Sequence, residues 1–400
     1  MVSFHRNKDI FSPVKLYSAF NLVFYMDVFF SAYGDMVLVS YFLMCVLLLI
    51  FSLIEPPSAH KKINIIKNKV GPSVIFAIWC MSFASIVNQM VVINELGGVV
   101  NYIGNLAYRV EYFKGRGYVI IINNIIATMN VIYFAVMLMR REPPKFSWLL
   151  FVVHFAIFVF IALLSGSRSF LLMTILVEIM VYHYVRKEFT IFKIAPYIIV
   201  LGVSVAVLGT LRNTVSTSEG ELKFSSEDEF KLESTHFKYG LIPLDIVFSS
   251  EDKPLFYGAT YFSLITNFIP RVIYSDKLDT GGVAFTKLYT GDQWGGLSNL
   301  STGSITEGII NFGHSVGLVV GLLTLGAPMY IGLRLYSRLH SITSRGYPYI
   351  KVVWYIYFIL AISRLSYSEF SYTYFTFVLY YIVPAMFVLF LSVLFKSKKL

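Results

Sequence analysis

Charge and cysteine are the two things this 400-residue chain has least of. Charged residues fill only 14% of it and cysteine occurs twice. So little charge excludes an ordinary soluble globular domain. Cys45 and Cys80 both lie inside apolar runs and have no metal or redox spacing, so disulfides and zinc drop out. Walker A, GxGxxG, HExxH and GxSxG patterns are all missing. Asp276 and Asp279 do not have the spacing of a DxD metal pair, and the acidic run at 226–229 reads as a solvated face. No metal, no nucleotide and no other cofactor is therefore expected. There is no internal repeat, heptad or low-complexity tract, and the lack of an inverted repeat counts mildly against a secondary transporter.

What the chain has is apolar length. Hydrophobic residues make up 56%, the mean hydropathy is +0.68, and 36 Phe and 28 Tyr suit interfacial aromatic belts. A spanning helix needs about 20 mostly apolar residues. Ten runs qualify, at 16–33, 36–54, 70–93, 118–139, 146–164, 170–185, 194–211, 312–335, 352–366 and 372–395. The first carries Asp27, and the sixth and ninth are short. The expected fold is therefore an all-α polytopic membrane protein with about ten transmembrane helices and one large outer loop.

Charge orients the set. The loops 1–15, 55–69, 140–145, 186–193, 334–351 and 396–400 hold 20 Lys/Arg against 4 Asp/Glu, whereas 212–304 holds 8 against 12. Every second loop is basic, as the positive-inside rule requires, which puts both termini in the cytoplasm and the long loop outside. The same dispersal accounts for the net charge of +10 without a nucleic-acid partner. The first fifteen residues have no cleavable h-region, so the first run is expected to stay attached. Three segments follow: helices over 1–211, the loop over 212–304 and helices over 305–400. Within the loop, 255–274 is apolar but interrupted by Pro270, which predicts a helix lying in the interface or tucked among the spans, in place of a span.

Ionisable groups at membrane depth are functional candidates by default. Arg168, Arg212, Arg271 and Arg364 all fall at the outer ends of spans or on the outer loop. Each singly reads as a snorkelling side chain. Four on a face where arginine is normally depleted read as a phosphate-binding set, joined by Lys277. Glu307 reads either as a carboxylate at a helix N-terminus, beside a Ser304 or Thr302 cap, or as a general base near the arginines. His314, seven residues on, is expected on the same helix face as a second base, or as a hydrogen-bonded packing residue. Trp294 reads as an interface anchor. Asn88, Gln89, Asn123, Asn124 and Asn130 are expected to join helices, Glu178 to pair with a cation or relay protons, and Glu369 to pair with Arg364.

The motifs run in a definite order. SGSRS follows the fifth run, an Arg closes the seventh, a G-x-x-Y…IPR…K segment lies in the loop, and S-x-x-E-G-x-x-NFG opens the next helix. Arg271 and Gly282 also stand in an R-x10-G spacing. In this order and on this side of the membrane, the pattern resembles the Wzy-type O-antigen polymerases, the oligosaccharide repeat-unit polymerases of Gram-negative bacteria. The resemblance covers most of the topology and four short motifs. It implies an inverting, metal-independent, GT-C-like glycosyltransferase of the inner membrane. Such an enzyme moves a glycan from undecaprenyl pyrophosphate to the non-reducing end of a lipid-linked repeat unit on the periplasmic face. Its expected partners are that lipid-linked oligosaccharide, membrane lipids and a chain-length-determining co-polymerase. The catalytic residues would be Glu307 and Arg271; Arg168, Arg212, Arg364, Lys277, His314 and Trp294 would hold substrate.

Two other readings stay open. An O-antigen ligase performs the same chemistry on a lipid A core acceptor. A lipid-linked oligosaccharide flippase or other transporter would want polar groups along a midplane path, not a long outer loop.

Overall fold

The computed structural model describes residues 2–57, 71–104, 112–113, 116–140, 144–165, 168–194, 196, 215–218, 221–224, 240–251, 253–269, 273–291, 299–343 and 346–397. The described residues are helical but for one short antiparallel hairpin, Val215–Ser218 with Glu221–Phe224. Among the described residues six helices are long and apolar enough to cross a membrane: Asp35–Ile54, Pro72–Glu95, Gly117–Met139, Lys145–Leu164, His314–Ser341 and Phe370–Phe395. Phe170–Val185 and Pro348–Ser363 are apolar but shorter. The protein is thus an α-helical, multi-pass membrane protein. The run 194–211 lies almost wholly outside the described residues.

The first apolar run is not the continuous helix expected. Its helix, Pro13–Phe24, has 12 residues and gives way to a 3₁₀ turn at Met26–Phe29. Twelve residues rise about 18 Å, short of the roughly 30 Å hydrocarbon layer. Asp27 sits in that turn, buried, accepting the Tyr33 hydroxyl. A broken segment at membrane depth is tolerated where protein covers it; Val14, Tyr17 and Tyr25 are buried accordingly.

The chain divides into two compact units. The first comprises Met1–His60, Glu233–Leu339 and Tyr357–Val378. Near the chain start it is tied by the Lys15 ammonium on the carbonyls of Asn7 and Asp9, by the Tyr336 hydroxyl on Asp9 Oδ2 at 2.9 Å, and by the Ser3 hydroxyl on Glu55. The Tyr25 hydroxyl donates to the Ser366 carbonyl.

The second unit comprises Lys61–Leu232, His340–Ile356 and Leu379–Leu400. Gly117–Met139 is its central helix, with every residue from Ile126 to Met139 buried except Phe134. Its core packs Ile126 and Ala127 against Phe158, Ile161 and Ala162 of Lys145–Leu164. Outer helices turn Phe83, Met90, Phe146 and Phe390 outward, the inverse of a soluble protein and the arrangement a lipid solvent favours. The last span contains one π turn, Val378–Ile382, two residues before Pro384. Proline lacks the N–H that would reach the Tyr380 carbonyl. Thr128 Oγ1 donates to that carbonyl instead at 2.7 Å, and Trp354 Nε1 donates to Tyr381 O at 3.3 Å.

Candidate functional site

The S-x-x-E-G-x-x-NFG motif forms a ten-residue helix, Gly303–Phe312, that ends at Gly313. Gly313 has φ 80° and ψ 174°, a conformation open essentially to glycine alone, and there the chain turns back into the His314–Thr343 helix. The two helices pack backbone on backbone. A Cβ at Gly308 would lie 2.2 Å from Gly317 O, and one at Gly321 would lie 2.6 Å from Ile305 Cα. Only glycines at these three positions admit the crossing. The turn also corrects the expected placement of His314. It does not share a helix face with Glu307 but opens the next helix, exposed, with its ring 5.2 Å from Phe248.

Asn311 fastens the other side of the motif. Its Nδ2 donates to Thr260 Oγ1 and to Glu307 O, each at 2.7 Å, and its Oδ1 accepts the Gly258 N–H at 2.9 Å. The Phe256 and Tyr257 N–H groups donate to Ile310 O and Asn311 O at 3.1 and 3.0 Å. This grip holds Tyr257 at φ 46°, a region that costs a bulky residue about 1 kcal/mol or more. Beyond it, the segment 255–274 contains an eight-residue helix, Ala259–Thr266. It is inside-out: Thr260, Ser263 and Thr266 are buried, while Phe262 and Ile265 are more than half exposed. Tyr261 stacks on Phe312 at 6.2 Å.

Glu307 is the centre of this knot, with no exposed surface. Its Oε1 accepts from Thr260 Oγ1 at 3.0 Å and Ser371 Oγ at 2.9 Å, and its Oε2 accepts the Phe370 N–H at 2.6 Å. Phe370 and Ser371 open the Phe370–Phe377 helix, so the carboxylate meets the free N–H groups and positive dipole end of a helix other than its own. Glu369, nearly buried, does the same elsewhere. It takes the Thr280 hydroxyl at 3.3 Å, at the start of the Gly281–Thr290 helix. Thr280, not Arg364 as the sequence suggested, supplies this hydrogen bond; the exposed Arg364 guanidinium draws on Glu369 from further away. Gly281 lies so close that a Cβ there would sit 2.9 Å from Glu307 Cδ.

Burial raises the proton affinity of both carboxyls. Glu307 is pushed up to about 7, first by desolvation and then by the Glu369 charge, against the pull of its donors. Glu369 is raised by desolvation too, moderated by Thr280, by the Gly282 backbone and by Arg364. A carboxyl titrating near neutrality suits proton transfer. In this conformation, however, Glu307 is closed on all sides by donors and joins three helices. To take a proton from a substrate, one of those contacts has to open. The hydroxyls of Thr302, Ser304, Thr306 and Ser366 are buried nearby without partners among the described residues.

The remaining candidates divide by position. Lys277 Nζ donates to Asn267 O at 3.1 Å, next to the Ala259–Thr266 helix. Arg364 stands exposed in the turn after Pro348–Ser363. Arg168 opens the helix Arg168–Val185. Its side chain, together with Arg212, Arg271 and Trp294, lies outside the described residues. Among the described residues no group of His, Cys, Asp and Glu is placed to hold a metal ion.

Sequence reasoning missed Thr260, Ser371 and Asn311 as the partners that hold Glu307. Asn311, one turn beyond Glu307, was the available signal. It also missed His154, although an ionisable residue inside an apolar run is the rule by which Glu178 was picked.

In the second unit, Asn88, Gln89, Asn123 and Asn130, four of the five amides expected to join helices, do so. Asn88 Nδ2 donates to Asn123 Oδ1 at 2.7 Å, and Asn123 Nδ2 to Gln89 Oε1 at 2.8 Å. The partner of Glu178 is an amide and not a cation: Asn130 Nδ2 donates to its Oε1 at 2.6 Å.

No protein-family model, no curated protein and no solved structure matches this chain.

Proposed function

We propose that this chain is a surface-polysaccharide polymerase of the bacterial inner membrane. It would transfer a glycan from undecaprenyl pyrophosphate to the non-reducing end of a lipid-linked repeat unit at the periplasmic face. One observation carries the reading. Two of the motifs behind the resemblance, G-x-x-Y at Gly258–Tyr261 and S-x-x-E-G-x-x-NFG at Ser304–Gly313, are a single hydrogen-bonded unit through Asn311, Thr260 and Glu307. Motifs some forty residues apart that close on each other behave as one device and not as chance matches. The buried hydroxyls left without partners suit a polyhydroxylated ligand nearby.

In this reading the chain crosses the membrane ten times. The six long helices and two shorter ones supply eight crossings, the 194–211 run a ninth, and the interrupted 13–29 segment the first. The loop 212–304 faces the periplasm, where no nucleotide sugar is available, so the donor brings its own leaving group. Arg168, Arg212, Arg271, Arg364 and Lys277 stabilise the pyrophosphate charge that grows as the glycosidic bond breaks. Glu307, freed from its donors, accepts the proton of the acceptor hydroxyl. The apolar outer face of Ala259–Thr266 rests in the lipid interface.

A second reading has its own support. The second unit contains a line of buried polar groups running through its helices, as a transporter of lipid-linked glycans would need. Glycan gels from a deletion strain and its complemented counterpart separate the possibilities. Single repeat units on core with no ladder would support the polymerase. Bare core with accumulated lipid-linked polymer would replace it with the ligase. Bare core with single lipid-linked units held inside the cell would replace it with the flippase.

A further inference from the structure

Four helices of the second unit meet at a continuous hydrogen-bonded chain that the polymerase reading leaves unused. Ser82 on Pro72–Glu95 lies 2.7 Å from His154 Nε2 on Lys145–Leu164. His154 Nδ1 lies 2.8 Å from Asn130 Oδ1 on Gly117–Met139. Asn130 Nδ2 donates to Glu178 Oε1 on Arg168–Val185 at 2.6 Å. Ser82, His154 and Asn130 are buried, and Glu178 is partly so.

The direction of each bond follows from the chemistry of the groups. Glu178 fixes the Asn130 amide with its NH₂ toward the carboxylate, so Asn130 presents its oxygen to the ring. An amide oxygen only accepts, and His154 Nδ1 must therefore carry hydrogen. The other nitrogen has a choice, because Ser82 Oγ also stands 2.9 Å from Ile78 O. With a neutral ring, the Ser82 hydroxyl donates to Nε2. With a protonated ring, Nε2–H donates to Ser82 Oγ and the hydroxyl turns to Ile78 O. Both states keep every member bonded, and moving between them needs only rotation of one hydroxyl.

We infer that the Ser82–His154–Asn130–Glu178 chain is an intramembrane proton-binding site. The proton adds to His154 Nε2, Ser82 Oγ accepts the new N–H, and the charge is balanced by Glu178. The surroundings offer no competing counter-charge among the described residues. From Gly117–Met139 the titratable neighbour is Tyr133, whose ring edge meets the imidazole at 5.6 Å. From Pro72–Glu95 the facing ring is the indole of Trp79, at 5.1 Å, which does not titrate, and Cys80 beside it is exposed. From Arg168–Val185 it is Glu178 itself. A helix clasp alone would need no group able to accept a proton; Ser–Asn pairs would serve.

The site is tested on the full chain in nanodiscs, with ¹⁵N-labelled histidine and a His154→Gln sample to assign the signal. Expected is an Nδ1–H tautomer at high pH that gains a second proton within about pH 4 to 9. In Glu178→Gln the midpoint should fall by at least about one unit, a tenfold loss of proton affinity. A ring that stays neutral across that range in the unsubstituted protein overturns the site, whether or not the variants fold. A midpoint unmoved in a folded Glu178→Gln overturns the role of Glu178 as counter-charge and with it the site as described.

Discussion

Glu307 accepts the backbone N–H of Phe370 at 2.6 Å, across 63 positions of sequence, and so caps a helix that is not its own. This relationship ties the most chemically suggestive carboxyl of the chain to its architecture. Any role in proton transfer must work through, or around, that bond.

The raised proton affinity of Glu307 makes a prediction about stability. Its folded-state pKa, about 7, lies above the ordinary carboxylate value of 4.5. The stability it contributes is complete below about pH 4.5 and is lost as pH rises through about 7, a loss of about 3 kcal/mol at most. The detergent-solubilised protein should therefore melt at lower temperature at pH 8 than at pH 5. In Glu307→Gln that difference should shrink, and the melting temperature at pH 5 should fall because the amide NH₂ faces donors. A pH response unchanged in Glu307→Gln would show that another group carries it.

The crossing of the two motif helices sets a steric test. Gly308→Ala places a methyl 2.2 Å from Gly317 O, against backbone that cannot yield. Loss of the folded protein, or destabilisation beyond about 3 kcal/mol, is expected in a melt or by size-exclusion profile. Gly34→Ala, which meets nothing within 4 Å, is the control and should be near neutral.

Asn311→Ala removes three hydrogen bonds and the clamp on the Tyr257–Gly258 turn. A cost of about 1–3 kcal/mol is expected. Tyr257 is 79% exposed, so the loosened turn should be cut faster by chymotrypsin at that residue. An unchanged cleavage rate would mean that the turn holds itself.

Topology is checked with a cysteine at Ser226, in a protein with Cys45 and Cys80 replaced. An impermeant thiol reagent should label it on intact, outer-membrane-permeabilised cells. Labelling only after the inner membrane is opened would put the loop in the cytoplasm and remove the proposed reaction face.

Arg271→Ala and Arg168→Ala, each retained in the membrane, should lower polymer by at least about a hundredfold, the scale on which loss of a charge-stabilising group acts. Long-chain glycan surviving both substitutions would remove the pyrophosphate site from the proposal.

The class of the protein was legible in composition, because lipid as a solvent demands long apolar runs and leaves charge to the loops. Six of the ten runs are helices long and apolar enough to span, at nearly the expected bounds, Gly117–Met139 against 118–139 for instance. The amide residues Asn88, Gln89 and Asn123 were rightly read as interhelical, since a buried amide has no other way to satisfy itself in hydrocarbon.

Tertiary structure decided what local pattern does not encode. The 16–33 run is apolar enough to span, yet it breaks at Tyr25, where Asp27 and the neighbouring backbone find partners. Glu307 and His314 share a face on any continuous helix; one glycine at φ 80° separates them into a buried knot and an exposed helix start. The partners of Glu307 and Glu369 come from segments up to 89 residues away, and only the fold could name them. Hydrophobicity is a property each residue carries alone and survives in sequence. Hydrogen bonds and close approach belong to pairs, and pairs exist only once the chain has folded.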